Sequence, residues 1–284
     1  MRRIYTPNTY SELFDKPFDG EGDRVIDRSV EAYAIKTVSS GPRLDVEAFP
    51  VWATNGDRRE AKESSTPEAR RRVNERNSKK RFLRLFYANF GQGDMFLTLT
   101  IEGEVSAQIA KRQVTNYIPR LKRLRKKQGL PELKYLYYIQ GGNVGKTGNP
   151  VRWHVHMFIN AMDRAAAEGA WKAGFANSKV LRKRGDKLVG IGSYATRFYK
   201  SERIECEELL LRRWAASSNL SKPKVRYPKH RLTRRRASKI AEDYQGAARI
   251  FEKEFPQYEL YELEIRQSDF VGGAYFYATL FRRE

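Results

Sequence analysis

Apolar and polar positions alternate with two periods along this chain, and the switches between them mark out the elements. VEAYAIKTV (30–38) reads as a strand, and Gly41-Pro42 and Pro50 break the apolar segments of the first 55 residues. TNGDRREAKESSTPE (54–68) is polar throughout and carries a proline, so it reads as a linker or mobile loop. A helix is expected over roughly 67–88. Phe82, Leu83, Leu85, Phe86 and Phe90 approximate one face, and Arg70, Arg71, Arg72, Arg76, Lys79, Lys80, Arg81 and Arg84 make it basic. In GDMFLTLTIEGE (93–104), Leu97, Leu99 and Ile101 alternate with Thr98 and Thr100, the pattern of a strand with one apolar face.

Ile109, Val114, Tyr117, Ile118, Leu121 and Leu124 then recur at helical spacing over 106–127, with Pro119 expected to kink or break that helix. KYLYYIQ (134–140) and WHVHMFIN (153–160) read as strands on either side of the turn-rich GGNVGKTGNP (141–150), which predicts a β-hairpin with a long tip. DRAAAEGAWKAG (163–174) predicts a short helix closed by Gly174, FANSKVL an edge strand, and IGSYATRFYKSE (191–202) the start of a helix. A basic region (212–239) leads into a helix over 237–254, and YELYELEIRQ (258–267) and GGAYFYATLFRR (272–283) are strand-like. No internal repeat is present. The sum is an α+β pattern with a mostly antiparallel sheet.

Composition narrows the classes. Hydrophobic residues make up 40% and charged residues 31% of 284 residues, the profile of a globular domain with a highly charged surface. No run approaches the ~20 apolar residues of a membrane-spanning helix. MRRIYTPNTYSELF has two arginines but no apolar run after them, so it does not read as a secretory signal. Cys206 is alone, which excludes a disulfide framework and a cysteine zinc site, and a bacterial-type cytoplasm is the expected location.

Charge adds the partner. With 55 Lys and Arg against 34 Asp and Glu, the net charge is +21, which favours polyanions. No long amphipathic basic helix with an exposed apolar face is evident, so nucleic acid is preferred to a membrane surface. Arg70, Arg71 and Arg72, then Lys122, Arg123, Lys126 and Lys127, then Arg234, Arg235 and Arg236 are the basic clusters expected to contact phosphates. Trp153, Tyr227 or Trp214 would stack on unpaired bases.

Only three histidines occur, and two of them stand one residue apart in RWHVHMF (152–158). On a strand, residues i and i+2 share a face about 6.5–7 Å apart, so His154 and His156 can converge on one divalent ion while Val155 and Met157 face a core. Gln140, at the end of the partner strand, is the best candidate for a third ligand, and Glu102, at the end of the preceding strand, is the alternative. Downstream, Tyr194 is a candidate covalent nucleophile with Arg197 one helical turn on, placed to stabilise a phenolate or a phosphate oxygen.

Together these segments resemble the rolling-circle replication initiators of the HUH endonuclease superfamily, nearest to the branch of filamentous-phage initiators and their relatives on Gram-positive mobile elements. FLTLT (96–100) is similar to the family's first motif, HVH (154–156) to its metal-binding motif, and YATRFYK (194–200) to its tyrosine motif, with Lys200 at its end expected to contact DNA. NERNSKKRFLRLFYANFGQGD (74–94), the W-x-x-G of Trp171 to Gly174 and SNLSKP (218–223) also resemble that branch. The resemblance covers about 74–284, leaving 1–73 as an N-terminal extension of unknown role. Three positions depart from the pattern. Gln140 stands where an acidic residue is common, Arg197 replaces the usual lysine, and Phe198 replaces a common second tyrosine, with Tyr199 one place out of register as an alternative nucleophile.

The resemblance implies a central five-stranded antiparallel sheet with flanking helices, and a site-specific nickase of single-stranded or cruciform origin DNA. Tyr194 would form a 5′-phosphotyrosine and free a 3′-OH for a host polymerase, while His154 and His156, with Gln140 or Glu102, would hold Mg²⁺ or Mn²⁺. No Walker-type P-loop is present in the sequence, so unwinding would fall to a host helicase. A conjugative relaxase and a non-catalytic nucleic-acid-binding protein on the same fold are the other readings.

Overall fold

A computed structural model describes residues 30–52, 67–141, 152–182, 214–267 and 274–283. The chain forms two compact units. One is discontinuous, Met1–Arg84 with Pro223–Glu284, and the other is Leu85–Lys222. This division does not coincide with a break at residue 73, because strands from both ends of the sequence share one sheet.

In the discontinuous unit, β1 (Val30–Ser40) and β2 (Arg43–Trp52) form a hairpin about Gly41, whose φ of 57° suits glycine. β2 pairs on its other side with β11 (Ala274–Arg282), which pairs with β10 (Tyr258–Gln267). Two short strands, β8 (Lys224–Arg226) and β9 (Arg231–Thr233), lie along the outer edge of β1. Pro50 does not end a strand as expected. It sits inside β2 opposite Tyr33, beyond Ala48, the last β2 residue paired with β11, where the strand is free on one side and tolerates a proline. The helix expected over 237–254 is two helices, α4 (Arg234–Glu242) and α5 (Tyr244–Glu254). Asp243 between them is extended (φ −143°, ψ 115°), and its carboxylate accepts from the Gly246 N–H at 2.7 Å, capping the second helix.

The contiguous unit carries a five-stranded antiparallel sheet in the order β6-β3-β5-β4-β7. Its strands are β3 (Met95–Thr100), β4 (Tyr135–Gln140), β5 (His154–Ile159), β6 (Ala176–Val180) and β7 (Trp214–Ala216). A basic helix, α1 (Pro67–Asn89), precedes it, and α2 (Ala107–Lys127) and α3 (Arg164–Gly169) lie within it. The hairpin of β4 and β5 and the edge position of β6 match the sequence pattern, whereas β7, β8 and β9 were hidden in the basic run.

Leu97, Leu99, Val155 and Met157 are completely buried and pack against Ala110, Val114, Tyr117 and Leu121 of α2, so this helix covers one face of the sheet. Ser106 caps α2, accepting from the Ile109 N–H. Pro119 does not break it: Pro119 and Thr115 are both exposed, so the carbonyl that loses its partner faces water. The helix expected over 163–174 stops at Gly169, because Trp171 turns inward and its indole N–H donates to the Thr100 carbonyl at 3.0 Å.

Candidate active site

β5 is the middle strand of the sheet, and its alternation sorts chemistry from core. Val155 and Met157 point into the α2 face, so His154 and His156 point to the opposite face. Register then decides their neighbours. His154 lies between Gln140 on β4 and Thr100 on β3. His156 lies between Tyr138 and Thr98, in a row that continues to Trp214 on β7 and Asn177 on β6. One row further on, Phe158, Phe96 and Leu136 close the face with aromatic packing: Phe158 lies 4.6 Å from Phe86 and 4.9 Å from Phe96, centroid to centroid. The histidines mark where this face turns from apolar to polar.

The two imidazoles stand nearly perpendicular (85°) with centroids 4.8 Å apart. The His154 Nδ1 lies 2.9 Å from the Arg152 carbonyl oxygen. A carbonyl only accepts, so Nδ1 carries the proton and, in the neutral ring, Nε2 keeps its lone pair, the tautomer a metal ligand needs. His156 stacks on Phe96 (5.4 Å, 6°) and meets Tyr138 at 4.9 Å, and its Nδ1 is 3.3 Å from the Thr98 hydroxyl. Burial, helped by His154, lowers its pKa to about 3, so its ring is neutral at physiological pH. Tyr138, although beside His156, is no nucleophile: burial pushes its phenol far above the usual range.

Two glycines hold the ends of these strands. Gly141, directly after Gln140, has φ 142°, and a Cβ there would stand 2.5 Å from the Trp153 Cα, so only glycine lets the hairpin arms approach beside His154. Gly174 has φ 141°, and a Cβ would meet the Thr100 carbonyl oxygen at 2.5 Å. The W-x-x-G segment is therefore a clamp on the end of β3, with Trp171 donating to Thr100 and Gly174 passing over it. SNLSKP has a comparable role, since Asn89 of α1 accepts from the Ser221 N–H (2.7 Å) and donates to its carbonyl (2.9 Å).

Gln140 is thus beside His154, as the hairpin predicts. Glu102 lies two residues past Thr100 and is exposed, and among the described residues no group of three His, Cys, Asp or Glu side chains could hold a metal. Among the donors on this face, His154, His156 and the amide oxygen of Gln140 make a set that would fit a divalent ion bound by two nitrogens and one neutral oxygen. Trp153 does not stack on bases: at 6% exposure it is part of the α2 core. Trp214, half-buried and in the row of His156 two strands away, about 10 Å, is the tryptophan on the histidine face.

Lys122, Arg123, Lys126 and Lys127 are exposed on α2, on the side of the sheet away from the histidines, so they do not converge with them. Arg125, between them, is buried and donates to the carbonyls of Pro131, Asn160 and Ala161. Arg234, Arg235 and Arg236 are exposed in the first turn of α4, in the other unit. Arg70, Arg71 and Arg72 fall in α1, with side chains outside the described residues, as are Tyr194, Arg197, Tyr199 and Lys200 altogether.

What the sequence did not disclose is the immediate surround of the histidines: Phe96, Thr98, Tyr138 and the Arg152 carbonyl. The alternation of FLTLT was the available signal, but it needs the strand register before it places Thr98 against His156.

Residues 94–197 match a family model for replication-associated proteins of the ORF2 and gene 2 protein type. The matched segment runs from the residue before β3 through both histidines to Arg197, so Tyr194 falls inside it and Tyr199 outside. Comparisons with curated proteins and with solved structures give no match. The similarity points to a role in DNA replication. Among the described residues no helix is long and apolar enough to cross a membrane.

Proposed function

We propose that this protein is a metal-dependent, site-specific single-strand DNA endonuclease and strand transferase of the HUH type that initiates rolling-circle replication on a phage, plasmid or related mobile element. The observation that carries the reading is the pair His154 and His156 on the middle strand. Burial keeps His156 neutral, the Arg152 carbonyl holds His154 in the ligand tautomer, and Gln140 stands beside them, all within the segment similar to replication-associated proteins.

His154, His156 and Gln140 would hold Mg²⁺ or Mn²⁺, which supplies Lewis-acid polarisation of the scissile phosphate. Trp214 offers a ring for an unpaired base on the same face. Tyr194 is the proposed nucleophile: its phenol oxygen attacks phosphorus, the bond to the 3′ oxygen breaks, and that oxygen leaves with a proton as a 3′-OH. The 5′ phosphate remains esterified to the tyrosine, and Arg197 offsets its charge. Attack by a 3′-OH reverses the step and reseals a strand. Origin DNA is the partner, with a host polymerase extending the 3′ end and a host helicase unwinding ahead of it.

The test is incubation with labelled single-stranded DNA from the element's own origin, with Mn²⁺ or with EDTA, followed by denaturing electrophoresis. A Mn²⁺-dependent covalent adduct that is lost in Tyr194→Phe, kept in Tyr199→Phe and at least about 10²-fold reduced in His156→Ala is expected. Tight DNA binding without an adduct in any arm would instead identify a non-catalytic binding protein.

A further inference from the structure

We infer that the outer face of α2 is a second DNA-binding surface, one that takes the backbone of duplex DNA and not the strand being cut. The inference borrows from the proposed function only that DNA is the partner. Residues 105–131 contain no acidic residue, and α2 has its basic side chains sorted by depth. Lys111, Arg112, Lys122, Arg123, Lys126 and Lys127 are exposed, and at 100° per residue they fall within about half the helix circumference. From Lys111 to Lys127 they run along roughly 24 Å of helix at 1.5 Å per residue, comparable to about seven base pairs of duplex. None of the six has an ion-pair or hydrogen-bond partner for its side chain among the described residues. Their charges are available.

Placement makes this surface separate from the histidine site. The apolar face of α2 is buried on Leu97, Leu99, Val155 and Met157, and the histidines project from the other side of those same strands. A helix diameter of about 10 Å and the sheet itself stand between the stripe and His154. One extended strand crossing the histidine face does not also reach the stripe, so the stripe serves a different part of the DNA.

Chemistry selects a duplex. Surfaces that take single strands combine cations with exposed aromatic rings on which bases stack, and the only aromatic residue of α2, Tyr117, is completely buried. A membrane-surface helix needs an exposed apolar face, and that of α2 is covered by the sheet. What remains is a cationic ridge along a helix.

The experiment uses the full chain, a labelled 30-base-pair duplex without origin sequence, and EDTA throughout, so it reads binding whether or not the protein nicks. Fluorescence anisotropy over a salt series gives affinity and its salt slope. Combined Lys122→Gln, Arg123→Gln, Lys126→Gln and Lys127→Gln is expected to lower the slope of log K against log salt by about 3–4 and the affinity at 0.1 M salt by at least about tenfold. A charge-matched variant, Lys172→Gln, Arg249→Gln, Lys253→Gln and Arg282→Gln, is expected to change either quantity far less. Circular dichroism checks that both variants keep their helices. Three results overturn the inference: an unchanged slope in the stripe variant, equal losses in the two variants, or an equal loss for single-stranded oligothymidylate. Sedimentation of the wild type with anionic phosphatidylserine vesicles in preference to the duplex would also overturn it, assigning the stripe to a lipid surface.

Discussion

α1 and α2 each carry eight lysines and arginines, yet the two helices use them differently. Near its end α1 turns Lys80 and Arg84 onto two acids of β2. Arg84 donates to Asp45 at 2.6 Å and to Glu47 at 2.8 Å, and Lys80 reaches Glu47 at 3.3 Å while lying 3.8 Å from the Tyr277 ring centre. Lys36 and Arg43 complete the cluster from the strands themselves. α2 has no such acids and directs all but Arg120 and Arg125 to solvent. Equal charge therefore does not mean equal function. A cation whose partner comes from another element is structural, and one left without a partner is available to a ligand.

The largest break in that contrast should come from Asp45. It is 5% exposed and accepts from Arg43 and Arg84, so Asp45→Ala strips Arg43 of its carboxylate and leaves Arg84 only Glu47. A loss of about 3–5 kcal/mol in urea-induced unfolding is expected. Glu47 gives the same cluster a pH signature. Burial alone would raise its pKa, but Lys80, Arg84 and Lys36 overcome that and hold it at about 2 against an ordinary 4.5. A carboxylate depressed in the folded state stabilises above its unfolded pKa and loses that contribution as pH falls through the folded value. Roughly 3 kcal/mol should disappear between about pH 5 and pH 2, and Glu47→Gln should flatten that part of the stability profile.

Arg125 sharpens the comparison from within α2. It is the buried member of an otherwise solvent-facing basic stretch, and its three carbonyl partners tie the end of the helix to the chain before β4 and the chain after β5. Arg125→Ala should lower the thermal midpoint by the equivalent of about 2 kcal/mol. Its neighbours set the lower limit. Lys122→Gln and Lys126→Gln should each stay within about 0.5 kcal/mol of the wild type in the same melts, whatever they do to DNA affinity.

The sequence made the histidine face legible because a strand alternates with period two, so HVH inside an apolar run already separates Val155 from its neighbours. It made Gln140 legible because a hairpin brings strand ends together. It did not reveal Trp153 as core, since a tryptophan beside a histidine reads equally as a stacking ring until the parity of β5 is known. Nor did it reveal where Asp243 divides a helix, because an acid in a helical pattern becomes a cap only when its carboxylate bends back to the chain. Pro119 misled in the opposite direction, because whether a proline breaks a helix depends on which side the orphaned carbonyl faces. The partners of Lys80 and Arg84 lie more than thirty residues away, at a distance no local pattern encodes.

The discontinuous unit has a consequence for how the chain is made. Val46 of β2 pairs with Ala278 of β11, and at about 5–20 residues per second a ribosome needs roughly 10–50 s to reach the second after the first. Residues 85–222, by contrast, are contiguous and can close their sheet while synthesis continues. Until β8 and β9 are made the hairpin of β1 and β2 has both outer edges unpaired, and the edge of β2 waits longer still, for β11.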